Sequence, residues 1–188
     1  MTEPALRLGV VIGSTREGRF ADVVARWFLG QVRRRDDVEV DVIDLAAVDL
    51  PTVHPRERTA PLLAYLDRIA RADAFVVITP EYNHGYPGPL KHAIDLAYEE
   101  WRAKPAGFVS YGGLGGGLRA VEQLRQVFAE LHVVTVRDTV SFHLAHQQFD
   151  ERGEPRDAAA VNAAAAVLLD QLVWWGRALR AARALEAA

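Results

Sequence analysis

Apolar and polar positions follow two periods along this chain, and the two periods take turns. Leu6–Ile12 is a continuous apolar run closed by Gly13, the pattern of a strand buried on both faces. From Phe20 to Arg34, residues Phe20, Val23 or Val24, Trp27 and Val32 recur at helical spacing. That segment ends in Arg33, Arg34 and Arg35, cations suited to the negative end of a helix dipole. Val38–Leu45 sets Val38, Val40 and Val42 against Glu39 and Asp41, which is strand alternation. Residues 51–60 hold Pro51, Pro55 and many polar groups and read as a loop. Pro61–Arg71 is an amphipathic helix on Leu62, Leu63, Leu66, Ile69 and Ala70, with a proline in its first turn. Ala74–Thr79 is the strongest strand. A turn-rich stretch from Pro80 to Pro89 precedes a helix expected to carry Leu90, Ile94, Ala97 and Trp101 on one stripe.

Ala106–Ser110 reads as a fourth strand, a glycine-rich loop follows, and Leu118–Leu131 reads as a helix. Val133–Val136 is a fifth strand, residues 142–157 look irregular, and Ala158 to about Ala184 is a long alanine-rich helix. On that helix Val161, Ala165, Leu168, Leu172, Trp175 and Leu179 form one stripe. Trp174 and Trp175 read as core and lid residues, and the arginines at 177, 180 and 183 as a solvated helix end. Strands that alternate with helices imply parallel pairing and right-handed crossovers, hence a three-layer α/β sandwich in one domain spanning residues 1–188. A five-stranded doubly wound sheet of this kind is flavodoxin-like, with strand order 2-1-3-4-5. Ligands then bind beyond the carboxyl ends of the strands, where the order reverses. The segments to read for chemistry are 13–20, 80–89 and 110–117.

Composition narrows the chemistry. The chain has 188 residues, 50% apolar and 25% charged, with a net charge of -3 and no cysteine. Thiolate metal sites, disulfides and cysteine nucleophiles are excluded, and the mild acidity is unlike a nucleic-acid binder. The N-terminus has no basic segment. The longest apolar candidate, Ala158 to Trp175, is interrupted by Asn162, Asp170 and Gln171, where a bilayer span needs about 20 apolar residues. The expectation is a soluble cytoplasmic protein with neither nucleic-acid nor membrane partners.

The first loop, Gly13-Ser14-Thr15-Arg16-Glu17-Gly18-Arg19-Phe20, joins a strand to a helix N-terminus. Free amides, hydroxyls and guanidinium forks there suit a phosphate monoester. The same loop reads equally as a plain turn capped by Ser14 or Thr15, with solvated arginines. Gly13 and Gly18 are spaced as in a nucleotide-binding P-loop, but Arg19 and Phe20 replace its Lys and Ser/Thr, which argues against a nucleoside triphosphatase. The loop after the third strand, Thr-Pro-Glu-Tyr-Asn-His-Gly-Tyr-Pro-Gly-Pro from Thr79, is stiffened by proline. It offers flat tyrosines and a neutral amide, which suit a planar heterocycle such as flavin. His143 and His146 with Asp150 lack the spacing of a metal site, and no nucleophile elbow occurs.

Taken together, GSTREGRF, TPEYNHGYPGPLKHAIDLAYEEW and VSYGGLGGGLRAVEQLR resemble the NADPH-dependent FMN reductase family, from Arg7 to about Val140. That family includes quinone, azo-dye and chromate reductases. The resemblance implies FMN as cofactor and NADPH or NADH as co-substrate, with a small-molecule electron acceptor. It implies that Ser14, Arg16, Arg19 and the backbone of Phe20 hold the phosphate. Pro80, Glu81, Tyr82 and Asn83 then line the isoalloxazine, and Ser110, Tyr111, Gly112 and Gly113 close its other side. The chain departs from the family pattern at Arg19, usually serine, and at Ala21, often asparagine. No side chain is assigned a catalytic role, because the flavin carries the chemistry. The resemblance also implies a homodimer, or a tetramer as the alternative. Tyr98, Trp101 and Arg102 are interface candidates, although Tyr98 and Trp101 serve equally well to finish the core. The rival from another class is a flavodoxin-like electron carrier without reductase activity.

Overall fold

A computed structural model describes residues 4–186; residues 1–3 and 187–188 of the expected domain lie outside it. Five parallel strands form one sheet in the order β2-β1-β3-β4-β5. They are β1 (Leu6–Ile12), β2 (Val38–Asp44), β3 (Ala74–Pro80), β4 (Pro105–Tyr111) and β5 (Val134–Phe142). The helices are α1 (Ala21–Val32), α2 (Ala60–Arg71), α3 (Gly88–Asp95), α4 (Leu118–Glu130), the short α5 (Ala145–Gln148) and α6 (Ala158–Glu186).

The strand period of two sorts the core into two layers. Leu8, Val10 and Ile12 of β1 with Val76 and Ile78 of β3 pack against α1 and α6. Val11, Phe75 and Val77 point the other way, onto α2, α3 and α4. The switch in strand order between β1 and β3 therefore opens at their carboxyl ends, where three of the candidate loops leave the sheet.

Five expectations are corrected. β5 runs to Phe142 rather than stopping at Val136, because its register slips between Ala106 and Phe108 of β4. The irregularity turns the charged Arg137 outward on this edge strand and lets Val140 and Phe142 return to the core. The stripe Leu90–Trp101 is not one helix. α3 ends at Asp95, and Trp101 sits in a 3-10 turn (Glu99–Trp101), donating its indole N–H to the Ile94 carbonyl at 3.1 Å. Trp101 is fully buried between Phe75 and Phe128, so it belongs to the core, while Tyr98 remains exposed. Trp174 is exposed rather than core. The end of α6 is not simply solvated. Arg180 and Arg183 reach Asp73 at 3.3 and 3.1 Å, and Arg183 donates to the Ala103 carbonyl at 2.6 Å. By length and composition alone Ala158–Leu185, with mean hydropathy 1.4, is apolar enough to cross a membrane, contrary to the sequence expectation. Its inner stripe, Ala165, Leu168, Leu169, Leu172 and Val173, instead packs on the sheet.

Candidate flavin site

The β1–α1 connection leaves the sheet where Gly13 donates its amide to Ile78 of β3 at 2.9 Å. From there the chain turns away from every backbone partner. The amides of residues 14–18 and of Phe20 donate to no carbonyl or side chain among the described residues. Phe20 is the N-cap of α1 and supplies no side-chain cap. A run of unsatisfied N–H groups feeding a helix N-terminus costs folding free energy unless water or an anion accepts them. The helix dipole adds a positive potential at the same place. The plain capped turn is thereby ruled out, since neither Ser14 nor Thr15 caps the helix. The Ser14 hydroxyl is buried and shares a 2.9 Å hydrogen bond with the Tyr82 hydroxyl, which ties this loop to the next.

Its two arginines behave differently. Arg16 is exposed, lies over the Tyr82 ring at 5.4 Å and makes no ion pair among the described residues. Arg19 is only 10% exposed at its side chain and is clamped to Asp44 at the end of β2 and to Asp22 in the first turn of α1. The hydrogen bond to Asp44 holds the Arg19 guanidinium well above its ordinary range and the Asp44 carboxyl below its own.

The loop after β3 is a tight hairpin. Tyr82 and Gly85 exchange backbone hydrogen bonds of 2.8 and 3.0 Å, with Asn83 and His84 both at positive φ. Asparagine tolerates that conformation; histidine does so at a cost, and Gln123 holds it by donating to the His84 carbonyl at 2.8 Å. Glu81 turns its carboxylate to the start of α4, where it accepts from the Arg119 backbone amide at 3.3 Å and side chain at 2.5 Å. The glycine-rich loop is cinched from beneath. Ser110 and Ser141 donate to the Gly116 carbonyl at 2.8 and 2.7 Å, and His143 Nδ1 lies 2.8 Å from the Leu114 carbonyl. Gly117 has φ +87, and a Cβ there would stand 2.6 Å from Ser110, so glycine is required.

These loops enclose a cavity of about 470 Å³, within the range of small-ligand sites. Ser14, Arg16, Arg19, Phe20, Pro80, Glu81, Tyr82, Tyr111, Gly112 and Gly113 all line it. Two expected residues do not. Asn83 stands exposed at the hairpin tip, and Ser110 is buried beneath the loop, its hydroxyl spent on Gly116. Burial holds the Tyr111 phenol well above its ordinary range, so it stays protonated. The sequence reading missed one wall, formed by Leu144, Ala145, His146 and Gln147. The amides of Leu144 and Ala145 donate to Gly113 and Gly112 at 2.8 and 3.0 Å, and His146 packs tilted against Phe20 with ring centroids 4.5 Å apart. No local pattern marks this segment; only its place after β5 brings it here. Among the described residues no cluster of three or more potential metal ligands occurs.

Comparison with known proteins agrees with this geometry. Residues 6–147 match the family model for NADPH-dependent FMN reductase. The NAD(P)H-dependent FMN reductase C4B3.06c of Schizosaccharomyces pombe is 37% identical over 129 residues, a stretch that spans 63% of this chain and 63% of that protein. An NAD(P)H:quinone oxidoreductase of Solanum tuberosum is 33% identical over 183 residues, covering 89% of this chain and 91% of its own. Among solved structures, the flavoenzyme NAD(P)H:(acceptor) oxidoreductase FerB of Paracoccus denitrificans shares the fold with a TM-score of 0.75. That similarity holds at 23% identity, over 92% of this chain and 98% of that one. A flavodoxin from Pseudomonas aeruginosa, at 18% identity over 87% of this chain and 99% of its own, shares the fold with a TM-score of 0.55. With open amides at the switch point, a tyrosine-faced cavity beside them and a family match over most of its length, the chain belongs to the NADPH-dependent FMN reductase family.

Proposed function

We propose that this protein transfers reducing equivalents from NADPH or NADH to a small quinone-type acceptor, using FMN held in the cavity at the carboxyl ends of β1, β3 and β4. The observation that carries the reading is the run of unpaired amides at residues 14–18 and 20, ending at the start of α1. A terminal phosphate satisfies such donors, and Arg16 adds an exposed cation. The residues present fit the rest of the cofactor too. Tyr82 and Pro80 offer flat walls on one side, and Tyr111 with the Gly112–Gly113 backbone bounds the other. FMN, when bound, supplies the hydride chemistry. The protein's part is to orient the ring, through the Tyr82 hairpin, and to fix the opposite wall, through the Glu81–Arg119 bridge and the Gly116 carbonyl clasp. Tyr82 and Ser14 join the two halves of the site by their shared hydrogen bond.

The acceptor class is drawn from the relatives, several of which are named as quinone reductases. Assembly as a homodimer is part of the proposal. Leu114, Leu118 and Leu144, all exposed around the site, give it an apolar rim of the kind partners cover. Sedimentation of the FMN-loaded protein at micromolar concentration is expected to give a dimer mass.

Anaerobic absorbance spectroscopy tests the activity. NADPH or NADH is expected to bleach the oxidised flavin spectrum, and a benzoquinone to restore it. A flavin that neither nicotinamide reduces makes the protein an electron carrier instead.

A further inference from the structure

Arg19 sits in the phosphate cradle, and its surroundings say what it does there. Four of the five guanidinium N–H groups donate to acceptors within the protein. Nε donates to Asp22 at 2.8 Å; Nη1 donates to the Ser14 carbonyl and to Asp44 Oδ1, each at 2.6 Å; Nη2 meets Asp44 Oδ2 at 2.5 Å and Asp22 Oδ1 at 2.8 Å. The fifth, on Nη2, lies against Asp22 Oδ1 in an ion-pair contact. The charge is committed as well, because one cation faces two carboxylates. A phosphate oxygen could take any of the four bonded N–H groups only by displacing Asp44, Asp22 or the Ser14 carbonyl. Displacing Asp44 would leave its part-buried carboxylate without its partner beside an incoming dianion, which is unfavourable on both counts.

We propose that Arg19 is a positioning residue: it fastens the cradle into the shape that receives the FMN phosphate and gives the phosphate none of its own hydrogen bonds, leaving Arg16 as the cation that meets it. This rests on the phosphate reading of the cradle given above. The mechanical part follows from peptide geometry. In a trans peptide the C=O and the following N–H point in opposite directions. By holding the Ser14 carbonyl, Arg19 fixes which way the Thr15 amide points. By holding Asp44 and Asp22 together, it pins that peptide to the end of β2 and to the first turn of α1, and Asp44 Oδ1 is held in turn by the Ala46 amide at 3.0 Å. A loop whose amides have no partners would otherwise sample many conformations before the ligand arrives. Fastening it in advance lowers the ordering cost of binding.

The proposal separates from simple phosphate binding by comparing two ligands. Dissociation constants for FMN and riboflavin are measured by fluorescence titration of the apoprotein at fixed ionic strength. The protein is tested as wild type, Arg16→Ala, Arg19→Ala and the double variant Arg19→Ala/Asp44→Ala. The double variant leaves no unpaired Asp44 and keeps the test open if the single variant folds poorly. The quantity of interest is the preference, the riboflavin constant divided by the FMN constant. Losing one charge-assisted phosphate bond reduces the preference about tenfold or more. Arg16→Ala is expected to do this. Both Arg19 variants are expected to weaken the two flavins together, leaving the preference within about twofold of wild type, a change well below that of one lost charge-assisted bond. A tenfold fall in preference in the Arg19 variants overturns the proposal and makes Arg19 a phosphate ligand. A preference near one in the wild type overturns the phosphate reading itself, and the proposal with it.

Discussion

The two ends of this sheet carry similar residues to opposite effect. At the amino end, Asp73 accepts from the Arg7 amide at 3.1 Å and from Arg180 and Arg183, and Lys104 donates to the Ile69 and Ala70 carbonyls at the end of α2, each at 2.7 Å. These charges tie α2 and α6 to the segments that lead into β3 and β4. At the carboxyl end, the amides of residues 14–18 stand open, Arg16 lies over Tyr82 without an ion pair among the described residues, and three loops converge on a cavity. Charged residues alone therefore do not mark a site; donors without internal acceptors do. Arg19 sharpens the lesson, because it sits at the functional end yet is bonded like the arginines of the structural end.

The largest effect is expected from breaking the amino end. Asp73→Ala removes the carboxylate that accepts from Arg180 and Arg183, and removing one partner of a part-buried charge network costs about 3 kcal/mol or more. Urea unfolding of the apoprotein is expected to show that loss, with FMN affinity in the folded protein unchanged. Arg16→Ala is expected to do the reverse, costing about 1.5–3 kcal/mol in FMN binding and less than about 0.5 kcal/mol in apoprotein stability. If both quantities move together in either variant, the division between the two ends fails.

Gly117→Ala probes the wall rather than the cradle. Its positive φ and the 2.6 Å approach to Ser110 predict a local cost of about 1–2 kcal/mol, with FMN and riboflavin weakened equally. A selective loss of FMN would move the phosphate to this loop.

The smallest expected effect is a pH dependence at the amino end. Burial lowers the Lys104 amine to about 8, below its unfolded value of about 10.4. Between those values the unfolded chain binds more protons, so this group makes stability rise with pH, by about 1.5 kcal/mol from pH 8 to 9.5. The buried phenols Tyr65 and Tyr111, both shifted upward, act oppositely only near pH 10 and above. Lys104→Met is expected to flatten the rise, and a rise unchanged in that variant would assign it to another group.

Much of this was legible in the chain because it is written locally. β1 to β4, α1 and α2 follow from apolar periodicity, and the first and third strand loops stand out by residue type at the place where ligands bind. What stayed hidden depends on partners distant in sequence. Arg19 looks like a phosphate ligand until Asp44, 25 residues on, is brought beside it. Arg180 and Arg183 look solvated until the sheet delivers Asp73, 107 and 110 residues away. Residues 144–147 form a wall only because β5 runs on past the charged pair Arg137–Asp138 at a register slip, which masks the strand in the sequence. Asn83 and Ser110 carry the right residue types in the right loops, yet a two-residue hairpin and a buried hydroxyl take them off the cavity wall.

The most direct test of the open-amide cradle is calorimetric titration of the wild-type apoprotein with FMN and with riboflavin under identical salt and pH. Six unpaired amides and the exposed Arg16 are expected to bind FMN at least tenfold more tightly, since one charge-assisted bond alone supplies about that factor. Equal affinity for the two flavins would mean that the unpaired amides at the head of α1 hold no phosphate, and would contradict the assignment of the site.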